Sequence, residues 1–219
     1  YRNKSVLIVE DSAAARNLLR GMMKDFGVST LDISIHGKEA LDKLRQKNYD
    51  LVLCDYNLGE GSDGQQVLEE LRHNKWLKPS ASFIMITAES SMDMVMGALE
   101  YQPDGYLTKP FTRNELRARL DKVLHTKQLF SDVHKAQMRE QTDAAIKACD
   151  AVGVVHPNLA SKALRLKGDI LLEAQQFVEA KRHFEKILEK RELPWAVLGL
   201  GKANFACQAF EEAKNQFFD

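Results

Sequence analysis

Four short apolar runs constrain this chain more than any other feature, because each leads into a residue with chemistry to offer. Val6-Leu7-Ile8-Val9 runs into Glu10-Asp11, and Leu51-Val52-Leu53-Cys54 into Asp55. Phe83-Ile84-Met85-Ile86 runs into Thr87-Ala88, and Gly105-Tyr106-Leu107 is followed closely by Lys109-Pro110. Asn57 stands two residues past Asp55. Short, nearly continuous apolar runs are the pattern of strands buried on both faces of a parallel sheet. In such a sheet the carboxyl ends of the strands open onto one crevice, where ligands bind. Three acids, a hydroxyl and an ammonium are thereby expected in one place, a donor set that could close around a single phosphate.

Helical patterns separate the runs. Leu18, Leu19, Met22, Met23 and Phe26 recur at helical spacing over Ser12–Phe26, with Gly27 as a stop. A weaker strand near Ser29–Ile35 leads into a helix over Lys38–Gln46. A glycine-rich loop from Asn57 to Gly64 precedes a helix carrying Val67, Leu68 and Leu71. A Met-rich helix is expected over Met92–Glu100 and a last one over Thr112–His125. Five β-α units of this kind predict a doubly wound, flavodoxin-like α/β fold with a five-stranded parallel sheet for residues 1–125.

After about residue 126 no strand signal remains, and helical patterns fill the chain. Self-alignment at a shift of 33 pairs Gly168 with Gly201, Phe177 with Phe210, Ala180 with Ala213 and Phe184 with Phe217. Ala145, Cys149 and Val152, leading to Pro157-Asn158, form a fainter copy. The second domain, residues 126–219, is therefore expected to be an all-α stack of helix-turn-helix repeats. Gly168, Ala180, Gly201 and Ala213 would let helices approach, and Phe184 and Phe217 would fill the neighbouring gaps. Trp195 and Phe205 read as repeat packing. Residues 126–157 read as the first repeat, with Asp132–Ala151 packed on Ala160–Ala174.

Charge excludes some functions. Lys plus Arg, 31, cancels Asp plus Glu, 31, so no broad basic field is available for nucleic acid or anionic lipid. Cys54, Cys149 and Cys207 lie far apart inside apolar or helical stretches and read as buried thiols of a cytoplasmic protein. No membrane span or signal peptide is evident. The chain begins without methionine and stops inside a helical pattern, as a fragment truncated at its C-terminus would.

Residues 4–125 resemble the receiver domain of two-component response regulators. The acidic pair, the strand-end aspartate, the Thr-Ala dipeptide and the Lys-Pro-Phe segment stand in the family's order, at intervals of 44, 32 and 22 residues. Residues from about 128 onward resemble tetratricopeptide repeats, although aliphatic residues replace most of that family's tryptophan and tyrosine positions.

The receiver resemblance implies roles. Asp55 would accept a phosphoryl group from a sensor histidine kinase or a phosphotransfer protein. Mg²⁺ would be held by Asp11, Asp55 and the backbone carbonyl of Asn57, with Glu10 acting directly or through water, since three carboxylates sharing a pocket repel unless a cation joins them. Thr87, Ala88 and Lys109 would bind phosphoryl oxygens, with Lys109 stabilising charge that grows in the transition state. Thr87 and Tyr106 would form the switch, and Asn57 and Glu89 would tune the lifetime of the phosphate. The Lys109-Pro110 bond is often cis in this family. The chain would catalyse only its own phosphotransfer and dephosphorylation. The repeats would hold a protein or peptide, and a homodimer could form through the Met92–His125 face.

Two other readings compete. A constitutive scaffold with a silent receiver would be indifferent to loss of Asp55. A phosphatase using Asp55 as nucleophile is disfavoured by Asn57, because enzymes of the haloacid dehalogenase type carry a second aspartate at that place.

Overall fold

The computed structural model describes residues 1–59, 63–88 and 102–207. The chain divides into two compact units, Tyr1–Gln128 and Leu129–Asp219.

In the first unit five strands, β1 (Ser5–Val9), β2 (Thr30–Ser34), β3 (Leu51–Asp55), β4 (Ser82–Thr87) and β5 (Gly105–Thr108), form one sheet in the order β2-β1-β3-β4-β5. Every neighbouring pair is parallel. The flanking helices described are α1 (Ala13–Asp25), α2 (Gly37–Gln46), α3 (Gly64–His73) and α4 (Arg113–Leu129). This is the expected doubly wound α/β fold, with its reversal of strand order between β1 and β3.

Successive strand residues face opposite sides of the sheet, and both sides are covered. Leu7, Val9, Val52, Cys54, Phe83 and Met85 pack with Ala40, Leu41 and Leu44 of α2 and Val67, Leu68 and Leu71 of α3. Val6, Ile8, Leu51, Leu53, Ile84 and Ile86 pack with Leu19 and Met23 of α1 and Leu116, Leu120 and Val123 of α4. That two-sided burial is why the strands read as unbroken apolar runs. Helix ends follow local chemistry. Gly27 takes a φ of +86° just past α1, with its N–H on the Lys24 carbonyl and that of Val28 on Met23. Asp63 caps α3 by accepting from Gln66 N at 2.8 Å, while the Gln66 side chain accepts from Asp63 N.

The second unit is helical throughout its described residues: α5 (Ser131–Met138), α6 (Thr142–Val155), a 3₁₀ turn at Pro157–Leu159, α7 (Ala160–Glu173), α8 (Phe177–Leu188) and α9 (Pro194–Ala206). Ala145 and Cys149 of α6 share a core with Ala163 and Ile170 of α7 and with Phe130, Val133 and Ala136, so the expected packing of 132–151 on 160–174 is present. A second core joins Leu171, Ala180, Phe184, Ile187, Ala196, Leu200 and Ala203.

The α5–α6 and α7–α8 turns are built alike. Each places a non-glycine residue in the left-handed region, Glu140 at φ +56° and Gln175 at φ +58°. In the first turn Gln141 N donates to Ala136 O at 2.9 Å and Glu140 N to Gln137 O at 3.0 Å. In the second, Gln176 N donates to Leu171 O at 2.9 Å and Gln175 N to Leu172 O at 3.1 Å. Ala145 and Ala180, both fully buried, follow at the same place in each.

Phe184 fills the gap left by two glycines. A Cβ on Gly168 would lie 2.5 Å from its ring, and one on Gly199 would lie 2.4 Å from it. Gly199 escaped the sequence reading, which paired Gly168 with Gly201; Gly201 is buried in α9. Phe210, Ala213 and Phe217 lie outside the described residues. Two expectations need correction. Cys54 and Cys149 are buried, but Cys207 is exposed, because it sits one residue past the end of α9. Trp195 packs against the second core, whereas Phe205 is 60% exposed.

Candidate functional site

Strand register brings the chemistry-bearing residues together. Val9 pairs with Cys54, so Glu10 and Asp55 stand at matching positions one step on. Thr87 pairs with Thr108, which places Lys109 just beyond the end of β5. Glu10 N donates to Ser34 O at 3.1 Å, and Lys109 N to Thr87 O at 2.6 Å, so the sheet's hydrogen bonding extends to the lip of the crevice. The Lys109-Pro110 peptide bond is cis.

The side chains converge. Lys109 Nζ lies 2.9 Å from Asp55 Oδ2 and 2.9 Å from Glu10 Oε2. Glu10, Asp11 and Asp55 each place a carboxylate oxygen within 4.8 Å of the other two. Glu10 and Asp55 are buried and Asp11 is exposed at the rim. Burial drives the Glu10 carboxyl above the usual carboxylate range; the hydrogen bond from Lys109 opposes that rise and the charge of Asp55 adds to it. Burial also pulls on Lys109 in the direction of losing its proton. Its hydrogen bonds to Asp55 and Glu10, with their charges, outweigh that and hold the ammonium above its ordinary pKa. Three acids and one ammonium leave the crevice short of positive charge. Hard oxygen donors at this spacing are the chemistry that a divalent cation such as Mg²⁺ accepts.

Thr87, at the end of β4, is buried, and Ala88 beside it is exposed. Asn57 is exposed in the loop after β3. Tyr106 lies on β5 and packs against the core beneath α2 and α3. Its hydroxyl is buried without a hydrogen-bond partner among the described residues, and burial, with Tyr56 nearby, raises its pKa. Cys54 is wholly buried, its thiol directed to Asp55 O at 3.3 Å, and burial pushes its pKa far up, so it offers no nucleophile. Glu89 and the 92–101 part of the Met92–His125 face lie outside the described residues.

Three residues to which the sequence gives no part in the site shape the crevice. Arg16 of α1 donates through Nη1 to Glu10 O at 3.0 Å and to Asp11 O at 2.5 Å. Gly59 has a φ of +71°, and a Cβ there would stand 3.0 Å from Asp11 Oδ2. A Cβ on Gly64 would stand 2.3 Å from Asp55 O. The glycines were legible as turn formers only. A glycine at the first position of a helix, where better helix formers are ordinarily used, was the available hint that backbone approaches there. Among the described residues no helix is long and apolar enough to cross a membrane.

Comparison with known proteins finds a match to the response regulator receiver domain over residues 6–121. The chain is 31% identical over 122 residues to the chemotaxis protein CheY-3 of Vibrio cholerae serotype O1, a stretch covering 56% of this chain and 92% of that one. It is 30% identical over 118 residues to the chemotaxis protein CheY of Pseudomonas aeruginosa, covering 54% and 94% respectively. Among solved structures, the chemotaxis response regulator CheY4 of Vibrio cholerae superposes with a TM-score of 0.51 at 26% identity, over 55% of this chain and 98% of that one.

Proposed function

The chain belongs to the response regulator receiver domain family, and from that premise we propose that it is a phosphorylation-dependent response regulator whose phosphoacceptor is Asp55. The observation that carries this reading is the convergence of Asp55, Glu10 and Asp11 around one crevice, with the Lys109 ammonium 2.9 Å from Asp55. A carboxylate oxygen of Asp55 would attack the phosphorus of a phosphohistidine on a sensor kinase or phosphotransfer protein. The new P–O bond forms as the P–N bond breaks, and the departing imidazole takes up a proton.

The donor set fits Mg²⁺, which Glu10, Asp11, Asp55 and the Asn57 carbonyl would hold. When bound, the ion neutralises charge on the phosphoryl oxygens and the acids. Lys109, already paired with Asp55, would pair with an oxygen of the incoming group, and the Thr87 hydroxyl would bind another. Ala88, having only a methyl, leaves the approach open and offers its N–H. Thr87 and Tyr106 would act as the switch, the half-buried ring carrying a hydroxyl that has no hydrogen-bond partner among the described residues. Asn57 and Glu89 would set the lifetime of the phosphate. This is self-directed chemistry, and the chain would turn over no outside substrate.

The two alike turns, each followed by a buried alanine, support reading residues 126–219 as tetratricopeptide-like repeats. Such a stack offers a surface for a protein or peptide partner, with dimerisation through the Met92–His125 face as a second route of output in the cytoplasm. Intact mass after incubation with acetyl phosphate and Mg²⁺ tests the central point. A phosphoryl adduct on the native chain and none on Asp55→Asn is expected; no adduct on either would leave a silent receiver on a scaffold.

A further inference from the structure

The β1–α1 turn carries two of the three acids, and its main chain is gripped by a side chain from further along the helix. Arg16 Nη1 donates to the carbonyls of both Glu10 and Asp11, at 3.0 Å and 2.5 Å. These carbonyls lie upstream of the helical ladder, which begins with Arg16 N on Ser12 O at 2.9 Å. Ser12 does not cap α1 with its side chain; its own N–H goes to Glu10 Oε1 at 3.2 Å. A Cβ on Gly59 would stand 3.0 Å from the Asp11 carboxylate, so that backbone approaches it closely. The turn is thus held from within α1, while its acids look outward into the crevice.

We propose that Arg16 is a positioning residue for the divalent cation: by tying two consecutive carbonyls to one guanidinium it holds Glu10 and Asp11 with their carboxylates aimed at Asp55. The inference rests on the reading of the crevice as a Mg²⁺-dependent phosphoacceptor site. Arg16 touches neither the reacting atoms nor the carboxylate oxygens; it acts through the backbone of the residues that do. Outer-shell partners of this kind orient ligands, and their loss commonly weakens a metal site without removing a ligand.

Charge and geometry predict opposite signs here, which makes the inference decidable. Arg16 is a cation close to a cation site. Removing its charge and nothing else would tighten Mg²⁺ binding, since like charges repel. Removing a clamp on the ligands loosens binding. Lysine in its place keeps the charge but not the planar fork that reaches two carbonyls.

The experiment is calorimetric titration of the whole chain with Mg²⁺ alone, for the native protein, Arg16→Ala and Arg16→Lys, each checked for native circular dichroism. The expected result is a Kd raised roughly tenfold in Arg16→Ala and by less in Arg16→Lys, with the rate of adduct formation from acetyl phosphate returning near native at saturating Mg²⁺. Native or tighter affinity in Arg16→Ala would overturn the inference and leave the phosphoacceptor reading standing. If Arg16→Ala does not fold, Arg16→Lys decides alone, and native affinity in it overturns the inference. Absence of Mg²⁺ binding by the native chain would overturn both.

Discussion

Nζ of Lys109 lies 2.9 Å from Oδ2 of Asp55, and the same ammonium reaches Oε2 of Glu10 at 2.9 Å. One cation just past β5 therefore bridges two buried carboxylates, one a residue beyond β1 and the other at the end of β3. Replacing it with methionine leaves those acids facing each other without a counter-charge. We expect Lys109→Met to lower stability by about 2 kcal/mol, less than the several kcal/mol typical of a fully buried pair because the crevice is open on one side. Mg²⁺ would restore part of that loss, whereas phosphorylation by acetyl phosphate would stay at least tenfold slower. Urea unfolding with and without Mg²⁺, beside adduct kinetics, reads both effects; a variant as stable and as fast as the native chain would refute the assigned role.

The acids themselves predict ion-dependent stability. Anything that binds only the folded chain stabilises it in proportion to the logarithm of one plus its free concentration over Kd, about 2.7 kcal/mol at a hundred times Kd. Adding Mg²⁺ is expected to raise the unfolding midpoint of the first unit and EDTA to lower it. Asp11→Asn removes a carboxylate from the cluster within 4.8 Å, and that midpoint should then ignore Mg²⁺. An unchanged Mg²⁺ response in Asp11→Asn would mean the ion binds elsewhere.

Backbone approach at Gly64 makes a third expectation. A Cβ there would sit 2.3 Å from the Asp55 carbonyl and 2.9 Å from Met85 Sδ. The sulfur can move aside, but the carbonyl belongs to the residue that carries the site. Gly64→Ala is expected to cost about 1–3 kcal/mol of stability, as overpacking does, and to slow adduct formation as well. A control alanine at Gly21, inside α1 where a Cβ meets nothing within 4 Å, should raise stability by up to about 1 kcal/mol through its better helix propensity and leave adduct formation unchanged.

Strand ends were the readable part of this molecule, and backbone contacts the unreadable part. Glu10, Asp55 and Lys109 could be placed together from sequence because two-sided burial writes each strand as an apolar run, and the residue that stops the run stands at the crevice. Arg16, Gly59 and Gly64 act on main-chain atoms or on space, and neither leaves a side-chain pattern at fixed spacing. The helical unit shows the same divide. The offset of 33 found Gly168 and Ala180, but Gly199, which touches Phe184, stands two residues from the aligned Gly201. Two residues turn a helix by about 200°, so a periodicity argument sees one face and the ring touches another.

Phe184 predicts coupled behaviour of three helices. Its ring meets Gly168 of α7 and Gly199 of α9 at distances that no Cβ tolerates. Gly168→Ala and Gly199→Ala are each expected to destabilise the helical unit by about 1–3 kcal/mol, despite alanine's better helix propensity. Adding Phe184→Leu to either variant should recover part of the loss, because a smaller side chain frees the space the methyl needs. Strictly additive effects in that double-mutant cycle would show that the ring and the glycines do not share one gap.

His183 gives the helical unit a pH dependence with a definite sign. The ring packs beside Phe184, and its Nε2 lies 2.8 Å from the Leu164 carbonyl. Burial lowers its pKa in the folded chain; the Leu164 carbonyl and Asp150 oppose that shift, and Lys167 and Lys186 add to it. A histidine whose pKa is depressed by folding binds its proton more tightly when unfolded. Its contribution is therefore complete above the unfolded value of about 6.5 and is lost as pH falls from there through the folded value. The urea midpoint of the second unit should drop between pH 7.5 and 5.5, and His183→Gln, which keeps a donor for Leu164 but cannot gain the charge, should flatten that drop. A slope equal in native and variant chains would assign the pH dependence to other groups.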